Sequence, residues 1–317
     1  MVGPRLDGWL SPDAAKLPSA RVAVVIPVFD GEHSLERCLQ SLVDQTYQDF
    51  VVVVVDDGST DESAAVARSH IDRLSFLSVL QQANAGPGAA RNTGINASRS
   101  EFVAMLDADD AWAPTRLERC IEMLERDVGL TFVTTTAVIV DEAGLDLGFR
   151  AGEKFPSAST ERLLSVMAHH NVVFTSCVVR RSALETVGAF APERLLLGAE
   201  DYELWLRLLL IPGARAANIA EPLARYTMGS AGISLSDPAR NERARLEALR
   251  RHADALAKRG AYCRPGDAVE IALTALSRRR VREALQFFGF ARLVLRREGR
   301  PFVRLVIGRA RRRVRSR

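Results

Sequence analysis

The chain has 317 residues, 47% of them apolar and 26% charged, with a formal net charge of +4. That composition belongs to a folded globular protein and excludes a collagen-like or broadly disordered chain. Fifteen arginines against Glu283 and Glu298 give residues 278–317 a charge of about +13, which leaves about −9 on everything before them.

Taken in chain order, residues 1–20 carry Pro4 and Pro12 but no apolar signal core, and no run of 18 residues lacks a charge or a breaker. Neither a signal peptide nor a spanning helix is expected. RVAVVIPVF (21–29) is a β-branched strand candidate, and SLERCLQSLVDQ (34–45) places Leu35, Leu39, Leu42 and Val43 on one helical face, with Ser34 as the expected N-cap. FVVVVVDDGST (50–60) opens on five consecutive valines, which suits a strand buried on both faces, and DESAAVARSH (61–70) reads as a helix. LSFLSVLQQ (74–82), GPGAARNTGINAS (86–98) and EFVAMLDADD (101–110) repeat the plan of strand, glycine-started helix and strand. Strand alternating with helix predicts a parallel sheet with ligands at the carboxyl ends of its strands.

Asp30, Asp56, Asp57, Asp107, Asp109 and Asp110 all follow predicted strands directly, so they are expected at one edge of that sheet. Five or six carboxylates there require cations or hydrogen-bond donors opposite them, and hard oxygen ligands suit Mg2+ or Mn2+. Further along, TRLERCIEMLERD, TERLLSVMAHH and EDYELWLRLLL have helical periodicity, TFVTTTAVIV reads as a strand, and residues 238–317 read as mostly helical with a break near Pro265. Cys38, Cys120, Cys177 and Cys263 stand far apart without a CxxC pair, which argues against a zinc site or disulfide framework and for a reducing compartment.

Four stretches in order, IPVFDGEHSLERCLQSLVDQTYQDFVVVVVDDGSTDES, NAGPGAARNTGI, LDADD and EDYELWLRL, resemble the family 2 glycosyltransferases, over roughly residues 21–230. The resemblance implies the α/β GT-A fold, a Rossmann-like, mostly parallel sheet flanked by helices, here with a helical, basic C-terminal extension. The expected division is an N-terminal extension (1–20), a GT-A domain (21–235) with a nucleotide-sugar half (21–112) and an acceptor half (113–235), and an arginine-rich helical region (236–317).

It also implies roles. Pro27, Phe29 and Glu32 lie where the family cradles base and ribose, Asp57 matches the base-contacting aspartate of DDGS, and Asp30 stands where tyrosine or asparagine is usual. Gly86 and Gly88 allow close backbone approach, and Arg91, with Asn92 in the family's ARN, is placed to pair with a diphosphate or with an aspartate of the cluster. Asp107 and Asp109 match the DxD pair, alternate residues able to face one ligand, with Asp109 expected on Mg2+ or Mn2+ and Asp107 on ribose or metal. Glu200 and Asp201 match the catalytic ED pair, where Asp201 would act as general base in an inverting displacement, although carboxylates in a first helical turn are also simple caps. Trp205 and Leu208 read as core, and Trp112 as packing beneath the loop or touching sugar. Tyr226 and Ser230 keep the family's later motif, while Met228 stands where it has histidine. His169 and His170 border the acceptor site or cap a helix.

The function so implied is transfer of a sugar from a nucleoside-diphosphate sugar, UDP-linked by resemblance, to a saccharide or lipid-linked saccharide. A nucleotidyltransferase would want a glycine-rich, lysine-bearing loop after the first strand, which IPVFDGEHS lacks, and a non-catalytic binding protein would not need both Asp109 and Asp201. The tail mixes Leu285, Phe288 and Leu295 with arginines, a basic amphipathic pattern that suits equally a cytoplasmic membrane surface or helices packed on the catalytic domain with a solvated arginine end; nucleic acid is not expected, since no nucleic-acid module is present and aromatics are few.

Overall fold

A computed structural model of the chain describes residues 20–152, 155, 159–168, 171–173, 176–192, 194–228 and 237–261. His169, His170, Ser230, Cys263 and the whole arginine-rich tail lie outside the described residues.

The described strands form one nine-stranded sheet, ordered β3-β2-β1-β4-β8-β6-β9-β5 with β7 beside β6. β1 (Val22–Val28), β2 (Phe50–Asp56), β3 (Leu77–Gln81) and β4 (Phe102–Met105) run parallel, as the strand and helix alternation predicts. Beyond β4 the sheet is mixed: β8 (Val178–Arg180) is antiparallel to both β4 and β6 (Leu130–Val140), while β9 (Arg215–Thr227) is parallel to β6. β5 (Ala111–Trp112) and β7 (Asp146–Ala151) pair antiparallel to β9 and β6.

The apolar side chains of β1 sort by strand alternation. Val22, Val24, Ile26 and Val28 pack with α1 (Glu32–Val43) and α4 (Arg116–Arg126), through Leu35, Leu39, Leu42, Leu117 and Leu124. Val25 faces the opposite core with α5 (Thr160–Met167) and α7 (Glu200–Leu210), where Trp205 and Leu208 are fully buried, as their spacing predicts. α3 (Pro87–Ala97) lies so close to this face that a Cβ on Gly94 would meet Val25 Cγ1 at 2.5 Å. Helices α2 (Ser63–Arg68) and α6 (Arg181–Val187) complete the layers. After them α8 (Pro238–Arg251) and α9 (Ala253–Lys258) add Leu246, Leu249 and Leu256 to the α7 core. His252 Nε2 meets Glu203 Oε1 at 2.8 Å and ties this segment to α7.

α1 starts two residues before the expected cap. Gly31 is its N-cap, and Ser34, already inside the helix, donates to the Gly31 carbonyl at 3.2 Å. β9 has no period-two pattern because its register with β6 jumps from Thr135↔Ile219 to Thr136↔Pro222, a bulge that resets which side chains face the core.

Candidate active site

β1 and β4 are in register only from Val22 to Val25, so the two strands diverge just before Pro27, whose missing N–H is thereby not needed on that side. The carboxyl ends of β1 and β4, where this divergence begins, are the usual ligand position in such a sheet. β4 runs out into Asp107, Ala108, Asp109 and Asp110, and the chain then enters β5.

Opposite the acidic loop stands a guanidinium. Arg91, 4% exposed on α3, donates through Nη2 to Asp107 Oδ1 at 2.5 Å and through Nη1 to Glu200 Oε1 at 3.2 Å, and lies over the Phe190 ring at 5.2 Å. Burial opposes its charge, but Asp107 and Glu200 outweigh that and hold its pKa above the ordinary arginine value. One side chain therefore joins the DAD loop to the first turn of α7. The second oxygen of Glu200 accepts from Gly198 N at 2.8 Å, and Gly88 sits against the Glu200 side chain at 3.4 Å from where its Cβ would be. Asn92 pairs both ways with the Phe190 backbone, at 2.9 Å in each direction. Asp201 is half-buried in the same first turn, its Oδ1 accepting from Tyr202 N at 2.6 Å.

The six strand-end carboxylates do not pool as one cluster. Asp57, 3% exposed, accepts from Gln82 Nε2 at 2.7 Å, Ala85 N at 2.9 Å and Gly86 N at 2.8 Å, and so shapes the loop into α3, where Gly86 has φ 93°. Asp56 accepts from Ser59 N and Gln81 Nε2. Asp30, at φ 47°, accepts from Thr60 N at 2.7 Å, and Glu32 accepts from Glu62 N at 2.9 Å, which braces the turn after β1 against residues 59–63. Phe29 is 52% exposed on the rim of this turn, and Pro27 is buried beneath it. Asp110 is fully buried, its Oδ1 accepting from Thr227 N at 2.9 Å. Burial, with Asp109 and Asp107 beside it, raises its pKa well above the carboxylate range.

Asp107 and Asp109 are the two carboxylates of the loop that stay part-exposed. Burial first, and the charge of Asp107 second, push Asp109 up to about 6. Trp112 is 4% exposed, with Nε1 donating to Ser176 Oγ at 3.2 Å and Arg116 over its ring at 4.9 Å. Its place is packing beneath the loop. Tyr226 pairs with Ile139 along β9 and is part-buried beside the α1 and α4 core. Two residues that the sequence does not single out meet the loop from behind: Arg37 Nη2 and Thr227 Oγ1 both donate to the Asp109 carbonyl, at 3.1 and 2.5 Å. Arg37 occupies an ordinary polar position on α1, and Thr227 adjoins the expected Tyr226, so the sequence carried only the second signal.

The model of glycosyl transferase family 2 matches residues 23–188, more than half of the chain. The chain belongs to that family. Among relatives of this family 2 glycosyltransferase, chondroitin synthase of Escherichia coli is 30% identical over 188 residues, 59% of this chain and 26% of that one. The succinoglycan biosynthesis protein ExoU of Rhizobium meliloti is 32% identical, across 59% of this chain and 56% of its own. The chain thus spans under two thirds of either relative. Its fold is similar to that of S. aureus TarS 1-349 in complex with UDP-GlcNAc (TM-score 0.60, 22% identity, 74% of this chain and 66% of that one). It is also similar to the mannosyltransferase PcManGT of Pyrobaculum calidifontis in complex with GDP-Man and Mn2+ (TM-score 0.52, 19% identity, 92% and 91%). The glycosyltransferase therefore has the GT-A fold, and among its described residues no helix is long and apolar enough to cross a membrane.

Proposed function

We propose that the enzyme is an inverting, metal-dependent glycosyltransferase that uses a UDP-sugar, with residues 21–112 holding the donor and 113–235 the acceptor. The observation that carries this reading is Arg91, which brings the DAD loop and the Glu200–Asp201 turn together by bonding to both.

The donor set fits a divalent cation. Asp109 is held near 6 beside Asp107, so a cation at this pair relieves a repulsion that the protein otherwise sustains. Among the described residues no group of three or more His, Cys, Asp or Glu side chains is placed to hold a metal ion, so Mg2+ or Mn2+ at Asp107 and Asp109 would take its other ligands from substrate phosphates and water. When bound, such an ion neutralises charge on the departing nucleoside diphosphate. The protein's own residues do the rest. Phe29 and Glu32 would meet the base and ribose, with Pro27 and Asp57 buried behind them and shaping the turns that carry this side. Asp201 takes the acceptor hydroxyl proton as that oxygen bonds to the anomeric carbon, the bond from that carbon to the phosphate oxygen breaks, and configuration inverts. Arg91 and Glu200 hold the two halves in register for this displacement.

The relatives include a succinoglycan biosynthesis protein and a chondroitin synthase, which supports an acceptor that is a growing saccharide, free or lipid-linked. The arginine-rich tail then serves at an anionic membrane surface on the cytoplasmic side.

Thermal unfolding with UDP-, GDP- and dTDP-sugars, each with and without Mn2+, tests the donor, because a ligand of the native state raises the melting point. A shift that needs both UDP and Mn2+ is expected; a shift with GDP alone among the nucleotides replaces UDP in this reading. Asp201→Ala should keep that shift and lose transfer, and transfer retained by this variant removes the base assignment.

A further inference from the structure

We propose that Arg37 and Thr227 are positioning residues that aim the Asp109 carboxylate by clasping its backbone, an inference that rests on Asp109 being the cation ligand. Thr227 Oγ1 donates to the Asp109 carbonyl at 2.5 Å, and Arg37 Nη2 donates to the same oxygen at 3.1 Å. Arg37 Nη2 also reaches Thr227 Oγ1 at 3.1 Å, so the hydroxyl gives its proton to the carbonyl and accepts one from the guanidinium. The other arm, Nη1, donates to the Glu142 carbonyl in the β6–β7 turn at 3.2 Å. Thr227 N donates to Asp110 Oδ1, so this residue holds the loop through its backbone as well as its side chain.

Four distant parts of the chain meet at this point: α1, the loop after β4, the β6–β7 turn and the last residue of β9. A carbonyl with both lone pairs engaged fixes the peptide plane that follows Asp109, and so limits how far its Cα and the carboxylate it carries can swing. That matters because this carbonyl and the Thr227 N–H bond to Asp110 hold the loop that carries Asp109 from behind, so without the clasp it is freer to turn. Partners that orient a metal ligand from behind commonly change metal affinity by about 10–100-fold when removed. Lysine cannot replace Arg37, since one ammonium cannot present a planar fork to Asp109, Thr227 and Glu142 together.

The test is Mn2+ binding, read from the electron paramagnetic resonance of free Mn2+, with UDP and separately with GDP, on wild type, Thr227→Val, Thr227→Ser, Arg37→Lys and Asp109→Asn. Thr227→Val and Arg37→Lys are expected to weaken Mn2+ binding by about tenfold. Thr227→Ser, which keeps the hydroxyl, is expected to restore it, a rescue that a packing role for the threonine methyl would not produce. Asp109→Asn should abolish uptake. Wild-type uptake that Thr227→Val and Arg37→Lys leave unchanged overturns the clasp and spares the metal reading. Wild-type protein that takes up no Mn2+ with either nucleotide overturns both.

Discussion

Replacing Arg91 with methionine keeps the volume of a long side chain and deletes the charge that joins Asp107 to Glu200. Breaking a buried ion pair by removing one partner costs about 3–5 kcal/mol, because the remaining charge stays buried without compensation. Here the Arg91 side chain is 5% exposed, while those of Asp107 and Glu200 are 24% and 12% exposed, so water recovers part of their hydration. The low end, about 3 kcal/mol, is therefore expected. For a chain of this size each kcal/mol moves the melting point by about 2–4 °C, so Arg91→Met should melt about 6–12 °C below wild type. Calorimetry without ligand measures this directly. The double variant Arg91→Met with Asp107→Asn should regain a good part of the loss, since it removes one of the stranded carboxylates. A single variant that melts within about 2 °C of wild type, or a double variant no better than the single, refutes the account of Arg91 as the tether.

Asp109 has a folded-state pKa of about 6 against 3.8 in an unstructured chain, so the folded protein binds its proton more tightly than the unfolded one. The stability this provides is complete below 3.8 and is lost as pH rises through 6, about 3 kcal/mol in all. Metal-free Asp109→Asn should accordingly melt higher than wild type at pH 8 and not at pH 4, and equal melting at pH 8 counts against the burial of this charge. Gly94→Ala should lower the melting point by destabilising about 1–3 kcal/mol, because Val25 and Val55 leave no room for the methyl; an unchanged melting point would mean that α3 can lift from the sheet. His252→Ala should cut stability and loosen α8, measurable as faster amide exchange over residues 238–251, since it removes a partner of buried Glu203.

The parallel half of the sheet was legible in the sequence because β1, β2 and β4 are buried on both faces, and only the edge strand β3 alternates. Five valines in a row at 51–55, a glycine before α3 and aspartates at strand ends are local signals that need no partner to be read. The core roles of Trp205 and Leu208 follow from the same local periodicities, whereas Asp107 and Asp109 lie on no extended segment: residues 107–110 close a turn, Asp110 N donating to the Asp107 carbonyl at 3.0 Å, so strand alternation does not describe them. What stood opposite the aspartates was decided only by tertiary structure. A carboxylate reads alike whether it meets a cation, a turn of backbone N–H groups or a buried guanidinium. Folding handed Asp57 to residues 82–86, Asp110 to Thr227, Asp107 to Arg91, and left Asp109 beside Asp107. The mixed half was hidden for a related reason: β9 bulges at residues 220–222, β5 is two residues long, and β8 is three, so their strand character exists only in their partners. Arg37 shows the limit most plainly. On α1 it is one more polar residue, and its three acceptors at Asp109, Thr227 and Glu142 lie 72, 190 and 105 positions away, joined to it by the fold alone.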